Sequence, residues 1–185
     1  SIMGKIANDW DMTTSALPEE ILEVFKDYRT IPTGLKHGTV TVLIDQQPLE
    51  ITTFRIDGTY TDNRRPDSVN FTRNIENDLS RRDFTVNAMA YSEKEGLVDL
   101  FGGMEDIKNK IIRCVGNPDK RFQEDALRIM RAVRFSSVLG FEIEKETAES
   151  IKRNKHLLKN IAAERIRVEL EKLLLGDDAE RVLLE

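Results

Sequence analysis

The sequence predicts an α+β fold in which a sheet occupies the N-terminal part of the chain and helices fill the rest. Two runs rich in β-branched residues, 38–44 and 49–55, are typical of strands. From residue 119 onward the apolar residues recur with helical period. The 33 acidic residues outnumber the 28 basic ones, and the whole excess lies within residues 1–115. We therefore predict two parts, 1–115 and 116–185.

In the first part, a helix is predicted to begin at Pro18 and to end near residue 27. Proline suits the first helical position, and the two glutamates that follow it place negative charge in the first turn. The β-branched runs flank the polar residues 45–48, which predicts a hairpin and therefore an antiparallel or mixed sheet. Residues 57–69 are rich in turn formers and poor in apolar side chains, so we expect a mobile loop there.

The remaining elements are read in the same way. A short helix is predicted at residues 81–91 and a strand at 97–99, followed by a turn at the glycine pair that begins at Gly102. Three helices are predicted beyond Gly116, and a glycine follows the first and the last of them where a helix would end. These three helices span residues 119–139, 145–158 and 162–175.

Composition excludes several classes of protein. The net charge of −5 argues against binding of polyanions through bulk positive charge, so any contact with nucleic acid must be local. No apolar run approaches the roughly 20 residues of a membrane-spanning helix. The single cysteine, Cys114, cannot form an intramolecular disulfide, and the first residues do not resemble a signal peptide. We therefore expect a cytoplasmic protein without a membrane partner.

Three carboxylates form the first candidate site. Asp9 and Asp11 are two residues apart, so on a strand both side chains point to one face and Trp10 points to the other. Alone, such a pair is more often a solvated acidic turn than a metal site. Glu50 adds a third acid on the second strand of the predicted hairpin, opposite in face to Ile51. Three acids on neighbouring strands fit a two-metal site that activates a hydroxyl and steadies a triphosphate.

Arginines form the second candidate site. The pairs at residues 64–65 and 81–82 are either solvated surface or ligands for phosphate oxygens. Further along, one acid and three arginines recur every three positions on a predicted helix, which makes a polar ridge. The ridge is either a ladder of ion pairs or a set of donors and acceptors that reads the edge of a base. Its members are Asp125, Arg128, Arg131 and Arg134.

Other common sites are missing from the sequence. The two histidines, His37 and His156, have no second ligand at zinc spacing. The sequence contains no G-x-S-x-G, Walker A or G-x-G-x-x-G pattern, which excludes a hydrolase nucleophile elbow, a P-loop and a Rossmann site.

Eight short stretches occur in order along nearly the whole chain. They are Asp9-Trp-Asp-Met-Thr-Thr-Ser-Ala, Lys36-His-Gly-Thr, Glu50-Ile-Thr-Thr-Phe-Arg, Arg64-Arg-Pro, Arg81-Arg-Asp-Phe-Thr-Val-Asn-Ala, Phe101-Gly-Gly, Glu124-Asp-Ala-Leu-Arg and Glu164-Arg-Ile-Arg-Val-Glu-Leu. In this order the sequence resembles the class II tRNA nucleotidyltransferases, which are the CCA-adding enzymes, and the related bacterial poly(A) polymerases. The resemblance implies a polymerase-β-like head with a mixed sheet, residues 1–115, followed by an all-helical, nucleotide-selecting neck, residues 116–185.

The resemblance also implies roles for single residues. Asp9 and Asp11 match the catalytic carboxylates that bind Mg²⁺, and Glu50 matches the third acid. Arg82 matches an arginine that contacts the incoming nucleotide. Asp125 and Arg128 match the protein template that selects CTP or ATP. The family's further nucleotide-contacting arginines correspond to Arg131 and Arg134, and its flexible loop for addition of A corresponds to residues 57–66.

The implied reaction is the addition of CCA, from CTP and ATP, to the 3′ end of tRNA with release of pyrophosphate. An A-adding enzyme or a poly(A) polymerase is the nearest alternative, and a catalytically silent module that binds RNA or nucleotide is an alternative from another class. The family's G-G-x-x-R-D motif and its body and tail regions have no counterpart in these 185 residues. We therefore expect the chain alone to have weak or no activity. No protein partner is implied.

Overall fold

The computed structural model describes Gly4, residues 10–60 and residues 66–184. Contacts divide the described residues into two compact units. The first lies within Ser1–Gly58 and Ser68–Arg81, and the second lies within Thr59–Asp67 and Arg82–Glu185. The boundary predicted between residues 115 and 116 rests on charge and pattern and stays a prediction.

The first unit is built on a four-stranded sheet with one helix packed on it. The strand order is β1-β4-β3-β2, with β1 parallel to β4 and the other neighbours antiparallel, so the sheet is mixed as predicted. The helix is three residues shorter than predicted. The bounds are β1 (Met12–Thr14), α1 (Pro18–Val24), β2 (Arg29–Gly34), β3 (Thr39–Ile44) and β4 (Gln47–Thr53).

The predicted hairpin is formed by β3 and β4, and only two residues connect its strands. Asp45 and Gln46 both have positive φ, 49° and 65°, as a tight hairpin turn requires. Alternate residues of the two strands are buried, because one face of the sheet packs against α1. This small core consists of Ile21, Val40, Val42 and Ile51.

The first unit also contains a 3₁₀ turn (Leu35–His37), β5 (Arg55–Asp57), β6 (Val69–Phe71) and α2 (Ile75–Ser80). β5 and β6 pair antiparallel, so the ends of the predicted loop 57–69 are strands. Residues 61–65 of that loop lie outside the described residues. The sequence did not predict α2, although Asn74 caps it by accepting a hydrogen bond from the backbone N–H of Glu76 at 2.9 Å.

The predicted helix at 81–91 is wrong. In the second unit, Phe84 pairs with Cys114 in a β-bridge and Thr85 N–H donates to Arg113 O, so long-range pairing holds this backbone extended. A single 3₁₀ turn (Thr85–Asn87) and a hairpin of β7 (Met89–Ser92) and β8 (Gly96–Asp99) follow. The predicted glycine turn leads into α3 (Gly103–Asn109), which Asp99 caps by accepting from two backbone N–H groups at 2.8 Å each.

The helical region begins after β9 (Ile111–Ile112). The predicted helix at 119–139 is interrupted, because Asp125 has extended backbone angles, φ −139° and ψ 105°. The helix predicted at 145–158 ends at Asn154 and continues as a 3₁₀ helix, Lys155–Asn160, and the helix predicted at 162–175 is confirmed. The elements are α4 (Pro118–Glu124), α5 (Leu127–Leu139), β10 (Glu142–Ile143), α6 (Lys145–Asn154), α7 (Ala163–Leu174) and α8 (Ala179–Leu184). None of the helices in the described part of the chain is long and apolar enough to cross a membrane.

Candidate functional site

The first unit carries two of the predicted carboxylates at its sheet, Glu50 on β4 and Asp11 just before β1. In the parallel pair β1–β4, Met12 lies opposite Ile51 and Thr13 lies opposite Thr52. Glu50, on β4, and Asp11, just before β1 begins, each precede this register by one residue. Because Ile51 is buried towards α1, Glu50 points to the opposite face. Both acids are exposed.

Threonine hydroxyls continue this face. Thr13 Oγ1 donates to Thr52 O at 3.1 Å, and the hydroxyls of Thr39 and Thr52 are 2.9 Å apart. Thr41 is the cross-strand partner of Glu50. The face that carries Glu50 is therefore polar, while the other face of the same strands carries the apolar core.

The donor set is of the kind that Mg²⁺ prefers, because hard divalent cations take carboxylate oxygens. Asp9, the third acid that the sequence places here, lies outside the described residues. Within the residues described, no three His, Cys, Asp or Glu side chains are grouped closely enough to hold a metal ion. Asp11 and Glu50 thus fit part of a metal site, and assignment of metal to them stays a prediction.

The second unit places Asp125 at the break between α4 and α5. Its Oδ1 accepts a hydrogen bond from Leu127 N–H at 3.0 Å, so the side chain caps the first turn of α5. Its Oδ2 lies 3.4 Å from Arg165 Nη2 of α7. Arg128 stands one turn along α5, and its backbone N–H donates to Asp125 O at 3.0 Å. The structure therefore brings the two predicted template residues together.

Glu124 fixes the guanidinium group of Arg128. One carboxylate oxygen accepts from Arg128 Nη1 at 2.8 Å and the other from Arg121 Nη2 at 3.0 Å. Burial lowers the pKa of Arg128, but the hydrogen bond to Glu124 and the attraction of that acid outweigh it and raise the pKa overall. For Arg121 burial prevails over Glu124 and the pKa is lowered. No role was predicted for Arg121 or Glu124, although the i, i+4 spacing of Glu124 and Arg128 indicates an ion pair on a helix.

The last two arginines of the predicted ridge have partners within the protein. Arg131 Nε donates to Asp83 Oδ2 at 2.6 Å, and Arg134 Nε lies 2.7 Å from Glu169 Oε2 of α7. Both guanidinium groups lie over the ring of Phe135, at 5.3 and 4.0 Å from its centroid. Both partners lie outside the ridge, so these ion pairs are not the predicted i, i+3 ladder. A contact with nucleotide stays a prediction for both residues.

Arg82 lies at the start of the second unit and is half-buried. The next residue, Asp83, is buried and accepts hydrogen bonds from Phe84 N–H at 2.9 Å and Asn87 Nδ2 at 3.3 Å, in addition to that from Arg131. The backbone at Arg82 is thereby anchored to α5 through its neighbour. Its predicted contact with the incoming nucleotide stays a prediction.

The comparison with protein families decides the relationship. Residues 1–113 match the family described as "Poly A polymerase head domain". The chain belongs to this family. Residues 140–185 match a second family, described as "Probable RNA and SrmB- binding site of polymerase A".

The chain is similar to CCA-adding enzymes along its whole length. It is 53% identical to the CCA-adding enzyme of Ligilactobacillus salivarius (strain UCC118) over 185 residues, which are 100% of this chain and 45% of that enzyme. The crystal structure of the Bacillus stearothermophilus CCA-adding enzyme in complex with CTP is similar with a TM-score of 0.87 and 47% identity, covering 98% of this chain and 43% of the other.

A third relative is a tRNA nucleotidyltransferase complexed with a primer tRNA and an incoming ATP analog. It has a TM-score of 0.77 and 30% identity, covering 98% of this chain and 52% of the other. These structures confirm the predicted α+β fold, with a polymerase-type head sheet followed by helices. The chain spans about half the length of the relatives that it matches.

Proposed function

We propose that this chain provides the nucleotide-selecting and nucleotide-transferring part of a CCA-adding enzyme. Such an enzyme adds nucleotides from CTP and ATP to the 3′ end of tRNA. The observation that carries the proposal is the 53% identity to a CCA-adding enzyme over all 185 residues. The solved relatives with CTP, and with primer tRNA and an ATP analog, support CTP, ATP and tRNA as the ligands.

The proposed reaction is a single displacement at phosphorus. The 3′ oxygen of the RNA forms a bond to the α-phosphorus, the bond from that phosphorus to the bridging oxygen breaks, and pyrophosphate leaves with that oxygen. The hydroxyl proton passes to solvent. Asp9, Asp11 and Glu50 would hold Mg²⁺, which when bound supplies charge neutralisation and activation of the hydroxyl. This role is supported by the position of Glu50 on an exposed polar face of β4 and of the exposed Asp11 just before the neighbouring strand β1.

Selection of the base is assigned to Asp125 and Arg128. Cytosine and adenine both present an exocyclic amine beside a ring nitrogen that accepts, whereas uracil and guanine present a carbonyl beside an N–H. A carboxylate accepts from the amine, and a guanidinium donates to the ring nitrogen. Because Oδ1 of Asp125 is used by Leu127 N–H, Oδ2 is the oxygen that would read the amine. Glu124 holds Arg128 in place for the second bond.

A poly(A) polymerase or A-adding enzyme is the second candidate, and the name of the matched head family favours it. Both candidates use the same displacement and differ in the nucleotides added. For either one, we propose a cytoplasmic location, because tRNA processing and a buried free thiol, Cys114, both suit a reducing compartment.

The carboxylate assignment is tested with Asp11→Asn in the natural protein that carries this chain. Release of pyrophosphate is measured with tRNA that lacks CCA, with CTP and ATP supplied separately. We expect a loss of at least about 100-fold with both nucleotides, because a neutral amide is a poor ligand for a divalent cation. Asp27→Asn, an exposed acid beyond α1, is the matched control and should leave the rate unchanged. Normal turnover by the Asp11→Asn variant would contradict the assignment of Asp11 as a metal ligand.

A further inference from the structure

Arg165 lies beside the carboxylate that is assigned to the amine of the base. It stands in the first turn of α7, and its Nη2 donates a hydrogen bond to Asp125 Oδ2 at 3.4 Å. This distance is longer than the about 2.7–2.9 Å of a tight charge-assisted hydrogen bond. Arg128 Nη1, in contrast, is bonded to Glu124 and to Arg121 O. The carboxylate of Asp125 therefore has a guanidinium neighbour that comes from a second helix.

Packing of α7 along α5 fixes the backbone that carries Arg165. Ile166, the next residue, packs against the core cluster that contains Ala126. Two turns further along α7, Leu173 O accepts a hydrogen bond from Ser137 Oγ of α5 at 2.7 Å. Because α7 is held at both ends, the Arg165 side chain starts from a fixed position next to the residues that are proposed to read the base.

One end of the Arg165 guanidinium group has donors to spare. Nη1 is buried, and the described part of the chain offers it no hydrogen-bond partner. Buried polar atoms nearly always have a partner, so an exception in a native structure calls for an explanation such as a ligand. Because Nη2 of the same group contacts Asp125 Oδ2, the Nη1 donors lie next to the place where that oxygen would hold an amine.

Adenine and cytosine differ at the position next to the amine. In adenine the acceptor N7 lies beside the exocyclic amine, on the side away from the ring nitrogen that is assigned to Arg128. Cytosine has a C–H group at the corresponding place. Guanidinium N–H groups can only donate. A second guanidinium group beside Asp125 therefore gains a hydrogen bond from adenine and none from cytosine.

We propose that Arg165 donates a hydrogen bond to N7 of the incoming adenine and so favours ATP at the step that adds A. The proposal rests on the proposed function and deepens it, because it adds a third residue to the pair that reads the base. In this arrangement Arg165, Asp125 and Arg128 meet N7, the amine and N1 of adenine in that order. With cytosine, only Asp125 and Arg128 have a partner on the base.

The test combines a variant at Arg165 with an ATP analogue that lacks the acceptor. In 7-deaza-ATP a C–H group replaces N7, while the amine and N1 are kept. The natural protein that carries this chain is compared with its Arg165→Met and Arg167→Met variants, since methionine is unbranched and has no donor. Arg167 is the matched control, because it lies on the same helix and its side chain is 72% exposed. The measurement is kcat/KM for ATP and 7-deaza-ATP on tRNA that ends in CC, and for CTP on tRNA that lacks CCA.

The expected result is a loss confined to adenine. Wild-type protein and Arg167→Met should use ATP about 10-fold better than 7-deaza-ATP, as one hydrogen bond from a charged group predicts. Arg165→Met should lose about 10-fold with ATP and use ATP and 7-deaza-ATP equally, because removal of either partner removes the same contact. Its kcat/KM for CTP should stay within about twofold of the wild-type value, since cytosine offers Arg165 no acceptor.

Three results would overturn the assignment of Arg165. Equal use of ATP and 7-deaza-ATP by wild-type protein is the first, and it needs no variant. The second is an Arg165→Met variant that still prefers ATP to 7-deaza-ATP. The third is a fall with CTP as large as the fall with ATP, because it would show that Arg165 only holds Asp125 in place. Wild-type protein that adds neither C nor A would instead contradict the proposed function itself.

Discussion

The two carboxylate oxygens of Asp125 have different partners. Oδ1 accepts from Leu127 N–H and starts α5, while Oδ2 faces Arg165 at 3.4 Å. An N-cap aspartate is worth about 1 kcal/mol to a helix, so the residue would be useful in a protein that binds no base. Its neighbour Arg128, held by Glu124, supplies the donors that a capping role does not need. The pairing of the two favours selection of a base.

We predict that Asp125→Ala and Arg128→Ala alter the selection among nucleotides and leave the overall fold intact. One good bidentate contact is worth about 1–3 kcal/mol of discrimination, so the preference for CTP and ATP over UTP and GTP should fall by roughly 10- to 100-fold. The measurement is kcat/KM for each of the four nucleotides. Asp177→Ala, an exposed acid after α7, should leave the preference intact. An unaltered preference in both template variants would count against the template role.

The break between α4 and α5 shows what periodicity can and cannot predict. Apolar residues such as Phe122, Ala126 and Ile129 are all buried, and their spacing is close to helical across the break. The pattern therefore predicted both helices correctly and joined them wrongly. The sequence signal for the break is the aspartate itself. Asp125 can cap the start of a helix by accepting a hydrogen bond from the backbone N–H two residues later.

Long-range pairing explains the other errors among the elements. Residues 83–85 bond to residues 113–115 through backbone groups, about 30 positions away in the sequence, and no local pattern reports such a partner. The site depends on long-range pairing too. β1 pairs in parallel with β4, which carries Glu50, while Asp11 lies one residue before β1 begins. The sequence predicted acids on neighbouring strands, but no local pattern sets the register of those strands. The β3–β4 hairpin was predictable because its signal is local.

Cys114 is buried and its backbone contacts α6. Its backbone N–H donates to Thr147 Oγ1 of α6 at 3.2 Å, and its side chain is buried. Burial raises the pKa of the thiol to about 12. The reactive species is the thiolate, so at pH 8 we expect no reaction of the native protein with iodoacetamide and complete reaction after unfolding in guanidinium chloride.

The same raised pKa has a consequence for stability. The stability that the buried neutral thiol contributes is fully present below the thiol's ordinary pKa of 9.0. It is lost as the pH rises towards about 12, because only the unfolded chain ionises in that range.

Thr147→Val, which removes the hydroxyl contact, should increase labelling of the folded protein by loosening α6. Rapid labelling of wild-type protein without denaturant would contradict the packing described here.

Charge is distributed over the whole molecule in a way that agrees with the proposed chemistry. The excess acid lies in the part that carries Asp11 and Glu50, and five of the eight residues 152–159, in the helical part, are basic. The overall α+β class was predictable from strand and helix patterns alone. The two compact units assign Ser1–Gly58 and Ser68–Arg81 to the first and Thr59–Asp67 and Arg82–Glu185 to the second, while the boundary at residue 115, based on charge and pattern, stays a prediction. Contacts depend on tertiary pairing, which composition does not record.

The proposed function is tested most directly by the nucleotide that the protein adds at each step. The natural protein that carries this chain is incubated with three tRNA primers that end before CCA, after C and after CC, and with all four nucleotides present. Sequencing of the 3′ ends after short incubation identifies each addition. We predict C, C and A on the three primers in turn, with no further addition after A. Repeated addition of A to every primer, or no addition to any, would contradict the proposal.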